Sequence, residues 1–208
     1  MILKNKGFFI DILLSIILTI IFIIVSVKLT LNFKILYYWD ITNLSIIKNT
    51  DLSIKEIKEN FSYLIYYLNS HKNITFCLPS LPSSKEGLIH FKDVKNIFNF
   101  LDKFLFINIF ISVPVIYYKL KITKNVRFLK YSSILTIIMP LSLIIPLTLN
   151  FDKGFTLFHR IFFSNDYWIF DPNKDPIINL LPEAFFFLFL FYLYYFLYTF
   201  FFNFLHIV

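Results

Sequence analysis

The chain has 208 residues, of which 58% are hydrophobic and only 16% are charged. Soluble domains have roughly 45–50% apolar and about 25% charged residues, so the composition excludes an ordinary water-soluble domain. The mean hydropathy of +0.70 indicates that lipid solvates much of the surface. The net charge of +7 comes largely from basic residues next to apolar runs, which is typical of a topology signal. We therefore expect one all-α membrane domain over residues 1–208.

Four apolar runs predict four transmembrane helices, at about 8–31, 97–118, 128–149 and 176–205. A run of about 20 apolar residues suffices to cross a bilayer as a helix. The fourth helix is predicted to begin at Asp175-Pro176, where an N-cap residue precedes a proline in the first helical position. A kink is expected at Pro182.

Charge bias predicts the orientation of these helices. The loop at about 119–127 carries lysine and arginine but no acidic residue, and Lys4 and Lys6 precede the first run. Basic segments face the cytoplasm, so both termini are expected inside, and segments 32–96 and 150–174 are expected outside. Asp11 is expected at the interface beside the two N-terminal lysines. The basic loop needs no nucleic-acid partner to explain it, and none is predicted.

The first outer segment shows the signals of folded structure. Ser53 and Glu56 have the spacing of a capping box, and the apolar residues that follow recur at helical spacing over about 52–69. This pattern predicts an amphipathic helix on the membrane surface or on the other helices. The Pro/Ser-rich stretch 79–84 then predicts a break, and a second helix begins near Lys85 and leads into span two.

Two of the four histidines are candidates for chemistry. His90 lies at the flank of the apolar stripe of the second helix with Asp93 on the same side, while Lys92 points away. His159 lies among aromatic residues at the predicted outer boundary. An ionisable residue at membrane depth is a functional candidate, and histidine moves protons near neutral pH. An interfacial role without chemistry stays open for both, and His71 and His206 are interpreted as incidental.

Other site chemistries have weaker patterns. Both histidines with Asp93, Asp171 or Asp175 would make a zinc site on paper, but neither an HExxH motif nor a closely spaced histidine pair is present. A catalytic triad with Ser83, Ser84 or Ser164 lacks a GxSxG elbow. The single cysteine, Cys77, is interpreted as a small loop residue, and no disulfide can form within the chain. No metal or cofactor is predicted.

The segment between Phe158 and Pro176 carries the densest local signal, and it reads as an interfacial element, a turn and a helix cap. Trp168 suits the lipid headgroup layer. Arg160 suits a bidentate grip on an anion or a carbonyl group, or equally an anchor at the interface.

Two stretches now carry a resemblance to a known family. They are EGLIHFKDVK at 86–95 and FHRIFFSNDYWIFDPNKDPII at 158–178, the second followed by LPE at 181–183. On these motifs, its size and its layout, the chain resembles the bacterial lipoprotein intramolecular transacylase (Lit) family. Phe170 stands where the family pattern leads us to expect leucine, which is a mild departure.

The resemblance implies an enzyme of the bacterial cytoplasmic membrane. Such an enzyme moves the sn-2 acyl chain of a diacylglyceryl-cysteine lipoprotein to the α-amino group of the same cysteine, which yields the lyso form. Its partners would be the diacylated lipoprotein and membrane lipids, its site would lie at the outer leaflet, and a monomer is expected. The rivals are a non-enzymatic membrane protein that binds lipid or a partner, and a metal-dependent membrane hydrolase.

The resemblance also implies roles for the candidate residues. His90 and His159 correspond to the two histidines that the family needs. Our hypothesis makes His90 the base, oriented by Asp93, and His159 the second proton-handling or oxyanion-stabilising group. Arg160 or Asn165 would assist polarisation. Roles in shaping the loop are expected for Trp168, Asp171 and Asp175, with direct catalysis as the alternative.

Overall fold

The computed structural model describes residues 2–205, with side chains for all of them except 2–6, 143, 200, 201 and 203–205. Its seven α-helices are α1 (Ile2–Asn32), α2 (Lys34–Asn43), α3 (Ile54–Asn69), α4 (Lys85–Tyr117), α5 (Arg127–Leu149), α6 (Phe151–Phe162) and α7 (Glu183–Leu205). Short 3₁₀ helices lie at Ile46–Asn49 and Pro176–Leu180, and a π turn at Tyr118–Ile122. All regular elements in this part of the chain are helical, which confirms the predicted all-α class. His206 lies outside the described residues.

Three helical stretches are long and apolar enough to cross a membrane: Gly7–Asn32, Lys85–Ile122 and Arg127–Leu149. A fourth apolar stretch within α7, Glu183–Thr199, is shorter, so the count of four spans stays a prediction. The predicted fourth run is not one helix. A 3₁₀ helix ends at Leu180 and α7 begins at Glu183, so the chain breaks fully at Pro182 where a kink was expected.

Contacts within the chain group the described residues of Met1–Thr30, Asp102–Ile145 and Phe191–Val208 into one compact unit. In this unit the buried Asp11 carboxylate lies 2.7 Å from the Lys119 ammonium and 3.5 Å from the Arg127 guanidinium. Asn125 also donates to it. Asp11 is therefore paired with the basic loop, because a charge buried at this depth needs partners. The side chains of its expected neighbours, Lys4 and Lys6, lie outside the described ones.

The second unit comprises Leu31–Leu101 and Pro146–Leu190. Its core buries one face of α3 against residues of α2, α4 and the Pro176–Leu180 helix, and Tyr37 stacks on Phe61 at 3.6 Å between ring centroids. The predicted capping box at the start of α3 is confirmed, since the Ser53 hydroxyl accepts from the Glu56 N–H and the Glu56 carboxylate accepts from the Ser53 N–H. The predicted single domain is not tested by this grouping and stays a prediction.

Candidate active site

The first turn of α4 is held by an acidic residue from a distant part of the chain. The Ser84 hydroxyl caps the helix by accepting from the Gly87 N–H. Asp175 in turn accepts from the Ser84 N–H at 2.7 Å and from the Ser84 hydroxyl at 2.6 Å. A Cβ on Gly87 would lie 2.2 Å from an Asp175 carboxylate oxygen, so any larger residue there would displace the Asp175 side chain. This arrangement fixes the start of α4 one turn before His90.

His159 lies on the buried face of α6, an amphipathic helix capped by the Asn150 side chain, which accepts from the Lys153 N–H. Its Nδ1 lies 2.8 Å from the Phe155 carbonyl oxygen. Because a carbonyl only accepts, Nδ1 must carry the proton, and the neutral ring then has its free lone pair on Nε2. Burial lowers the pKa of His159, although its bond to the Phe155 carbonyl acts in the opposite direction.

The two candidate histidines lie side by side. Their ring centroids are 6.0 Å apart, and the side chains are only 5% and 8% exposed. Aromatic rings surround the pair at centroid distances of 4.0–5.7 Å, namely Phe91, Phe155, Phe158, Phe163, Trp168 and Phe170. Such a shell excludes water and strengthens polar interactions within it. We call the two histidines and these six rings the histidine chamber.

Asp93 and Asn165 join α4 to the segment after α6. The Asn165 amide nitrogen donates to the Asp93 carboxylate at 3.2 Å, and the Asn165 amide oxygen accepts from the Tyr167 N–H at 3.1 Å. Among the described residues no hydrogen bond joins Asp93 to His90, whose Nδ1 is buried without a partner. The contacts therefore favour Asp93 as a brace for the loop over a direct orienting partner of His90.

Trp168 belongs to the site itself. Its indole stacks on the His159 imidazole with centroids 4.7 Å apart and planes 26° apart, and its side chain is buried. Its Nε1 is buried and has no hydrogen-bond partner. The sequence predicts Trp168 in the headgroup layer, with a role in shaping the loop, because a tryptophan near an apolar run is more often an interface anchor.

Three other predicted residues lie outside the chamber. Arg160 follows His159 on α6 and is exposed. Asp171 is also exposed, and its contacts stay within the loop: its side chain accepts from the Asn173 N–H and its carbonyl accepts from the Asp175 N–H. Asp175 is buried, and its side chain bonds to Ser84 and not to a histidine.

The alternative site chemistries have little geometric support in residues 2–205. Within that range, no three His, Cys, Asp or Glu residues are grouped so that they could hold a metal ion. The Ser84 hydroxyl donates to Asp175, not to a histidine. Cys77 is exposed in the loop after α3.

Sequence reasoning missed the chamber walls and the Gly87 contact. Phe155 and Phe163 are two of 29 phenylalanines, so their type alone did not distinguish them. The only usable signal for Phe155 was its position one turn before His159 on the same helical face. For Gly87, the signal was its rarity, since the chain has three glycines.

Comparison with known proteins agrees with this geometry. A family model described as lipoprotein intramolecular transacylase Lit matches residues 12–186. No curated protein matches the chain.

Solved structures of one protein resemble the fold along nearly the whole chain. One is the membrane integral lipoprotein intramolecular transacylase Lit from Bacillus cereus, with 40% identity, a TM-score of 0.87, and coverage of 93% of this chain and 90% of that chain. A variant of that protein with one histidine replaced by alanine has 38% identity, a TM-score of 0.85, and coverage of 100% and 95%. Taken with the family match, these similarities show that the chain belongs to the lipoprotein intramolecular transacylase (Lit) family.

Proposed function

We propose that this chain transfers the sn-2 acyl chain of a diacylglyceryl-cysteine lipoprotein to the α-amino group of the same cysteine. The family match makes it a lipoprotein-modifying acyltransferase of the membrane. The observation that carries the residue assignment is the pair of buried imidazoles 6.0 Å apart, with the tautomer of His159 set by the Phe155 carbonyl.

The reaction is the aminolysis of an ester. The amine nitrogen attacks the acyl carbon and forms the C–N bond, and the ester C–O bond breaks when the tetrahedral intermediate collapses. A base must take a proton from the attacking amine, and the departing glyceryl oxygen must receive one. The proton lost by nitrogen is the one gained by oxygen, so a single imidazole can accept it and pass it on.

The geometry favours His159 as that proton carrier, which reverses the hypothesis from sequence. Its Nδ1–H donates to the Phe155 carbonyl, so Nε2 has the lone pair that a base needs. The lowered pKa of His159 keeps the ring neutral near pH 7, so the lone pair stays available. His90, without a partner on Nδ1, is then placed to donate a hydrogen bond to the glyceryl oxygen. Each role is worth roughly 10²–10⁴-fold in rate.

The substrate itself supplies much of the acceleration. Donor ester and acceptor amine are already on one molecule, and effective molarities reach roughly 10⁵–10⁸ M when two groups are well oriented. The chamber need only hold the chain in a reactive conformation and move one proton. No covalent acyl-enzyme is required, which agrees with the absence of a serine or cysteine beside either histidine among the described contacts.

We place the site at the outer leaflet of the bacterial cytoplasmic membrane, with four spans and both termini inside. α4 has 33 residues, or about 50 Å at 1.5 Å per residue, so it extends well past a hydrocarbon core of about 30 Å. His90 lies in its extended first turns. The substrate is a diacylated lipoprotein among membrane lipids, nucleic acid has no part in the reaction, and the enzyme acts as a monomer. A topology reporter at residue 125 should read cytoplasmic, and an external reading would contradict this orientation.

Mass spectrometry of lipoprotein N-terminal peptides tests the activity. Wild type, His90→Ala and His159→Ala are expressed in a bacterial host that lacks other N-acylating enzymes. Lyso-form peptides are expected with wild type only. Lys92→Ala is the matched control, because Lys92 is exposed on the same helix as His90, and it should keep full activity.

The same experiment separates the rivals. If wild type yields no lyso-form peptide, the result would favour a membrane protein that binds lipid and lacks this activity. Deacylated peptides without N-acylation would indicate a hydrolase. Activity retained in either histidine variant would overturn the residue assignment but not the family.

A further inference from the structure

We propose that the Trp168 indole N–H is the hydrogen-bond donor that holds the carbonyl oxygen of the substrate ester and stabilises the oxyanion. This inference rests on the proposed function and adds a catalytic residue to it. The histidines account for the attacking amine and the leaving oxygen. With both histidines used in this way, the third atom on which charge changes, the carbonyl oxygen, has no donor except the two residues suggested for its polarisation, Arg160 and Asn165.

Those suggestions fail on geometry. Arg160 is exposed on α6, whereas His159 on the same helix is buried. The Asn165 amide nitrogen is already engaged with the Asp93 carboxylate at 3.2 Å. That nitrogen has a second N–H, but Asn165 is only half-buried and Arg160 is exposed, so neither residue offers a fully buried donor to the histidine chamber.

Trp168, unlike Arg160 and Asn165, has a buried donor without a partner. Its side chain is 9% exposed, and its Nε1 is buried without a hydrogen-bond partner. Leaving a buried donor unsatisfied costs about 1–3 kcal/mol, and such groups are rare in native structures and often have a functional reason. An indole nitrogen can only donate, so its missing partner must be an acceptor.

The position of the ring directs that donor to the reacting ester. The indole lies nearly parallel to the His159 imidazole at 4.7 Å, and its N–H bond lies in the ring plane. The N–H bond therefore runs alongside the imidazole, and the indole does not donate a hydrogen bond to that ring. In this proposal, an ester whose attacking amine reaches His159 Nε2 places its carbonyl oxygen next to the edge of the neighbouring indole. A buried donor placed before the charge develops costs no reorganisation during the reaction.

The loop holds the indole in this position from two sides. Phe155 contacts it edge-on at 6.1 Å, and the Asn165 side chain caps the turn before it by accepting from the Tyr167 N–H. Trp168→Phe should keep an aromatic ring on His159 while it removes the N–H. Trp39, the second tryptophan, is exposed on α2, so Trp39→Phe is the matched control.

The test measures turnover of a purified diacylated lipopeptide and of its thionoester analogue, in which sulfur replaces the carbonyl oxygen. Sulfur is a poor acceptor, so wild type should strongly prefer the oxygen ester. Trp168→Phe should lose about 10²–10³-fold in kcat on the oxygen ester with little change in KM, and much of its preference for oxygen over sulfur. A general loss of structure would slow both substrates equally and leave that preference intact.

Several results would overturn the inference. The first is a kcat of Trp168→Phe on the oxygen ester within threefold of the wild-type value. The second is an unchanged preference of Trp168→Phe for the oxygen ester over the thionoester. The third is a loss of kcat in Trp39→Phe as large as that in Trp168→Phe. If Trp168→Phe does not fold, benzothienylalanine at 168 keeps the indole shape without the N–H and must show the same loss. Failure of the proposed function is distinguishable, because wild type would then give no N-acylated product from either substrate.

Discussion

Gly87→Ala tests how the structure positions His90. The added Cβ would lie 2.2 Å from an Asp175 carboxylate oxygen and 2.9 Å from its Cγ. Ordinary contact begins near 3.4 Å, so the Asp175 side chain must move by about 1 Å. Its bonds to the Ser84 N–H and hydroxyl are 2.7 and 2.6 Å long, and such a shift breaks or badly strains both.

The cost follows from those bonds. Hydrogen bonds to a charged group are worth about 1.5–3 kcal/mol each, and alanine regains about 0.5–1 kcal/mol over glycine in a helix. The net destabilisation should therefore be about 2–5 kcal/mol if both bonds are lost. Activity should fall as well, because the cap that shifts lies one turn before His90.

The assay is thermal unfolding in detergent together with lyso-lipoprotein formation. Gly7→Ala is the control, since a Cβ there meets nothing within 4 Å. Asp175→Ala should reproduce the loss, and adding Gly87→Ala to it should cost little more, because both changes remove the same bonds. The reasoning would be refuted if Gly87→Ala were as stable and as active as Gly7→Ala. It would also be refuted if the losses of stability from Gly87→Ala and Asp175→Ala added fully in the double variant.

Three further outcomes are expected. Arg160→Ala should keep lyso-lipoprotein formation within a few fold of wild type, because Arg160 is exposed; a loss near that of His159→Ala would return it to the site. Burial raises the pKa of the Asp40 carboxyl to about 6, so the folded state binds its proton more tightly and loses stability as pH rises from about 4 to 6. Asp40→Asn should therefore raise stability by about 1–3 kcal/mol at pH 7.5 and by much less at pH 4, as pH-dependent unfolding would show. Chelators should leave turnover of the purified enzyme unchanged, and activity restored by one added metal after chelation would favour the metal-dependent rival.

Local signals predicted the parts of the fold that depend on neighbouring residues. The capping box at Ser53 and the start of α4 near Lys85 both follow from a few adjacent side chains. At Pro182 the same kind of signal predicted a kink, whereas the structure has a full break. The pairing of Asp11 with Lys119 and Arg127 was not predicted, because these partners lie more than 100 positions away. Charge pairing at that distance depends on how helices pack, which local periodicity does not encode.

The candidate site divides in the same way. His90 and His159 were selected because an ionisable residue at membrane depth is a functional candidate, and the family resemblance pointed to the same two residues. The proposed division of roles between them depends on a contact of one atom, the Phe155 carbonyl on His159 Nδ1, which residue type cannot reveal. Likewise Asp175 reads as a helix cap by its position before Pro176, yet its side chain holds the start of a different helix.

A double-label experiment tests the central claim most directly. Purified enzyme receives a mixture of two diacylated lipopeptides, one with heavy isotopes in both the sn-2 acyl chain and the peptide, the other unlabelled. The account predicts N-acylated products in which heavy acyl stays with heavy peptide, and no product with His159→Ala. Acyl chains exchanged between the two peptides, or full activity without His159, would contradict an intramolecular transfer driven by this histidine pair.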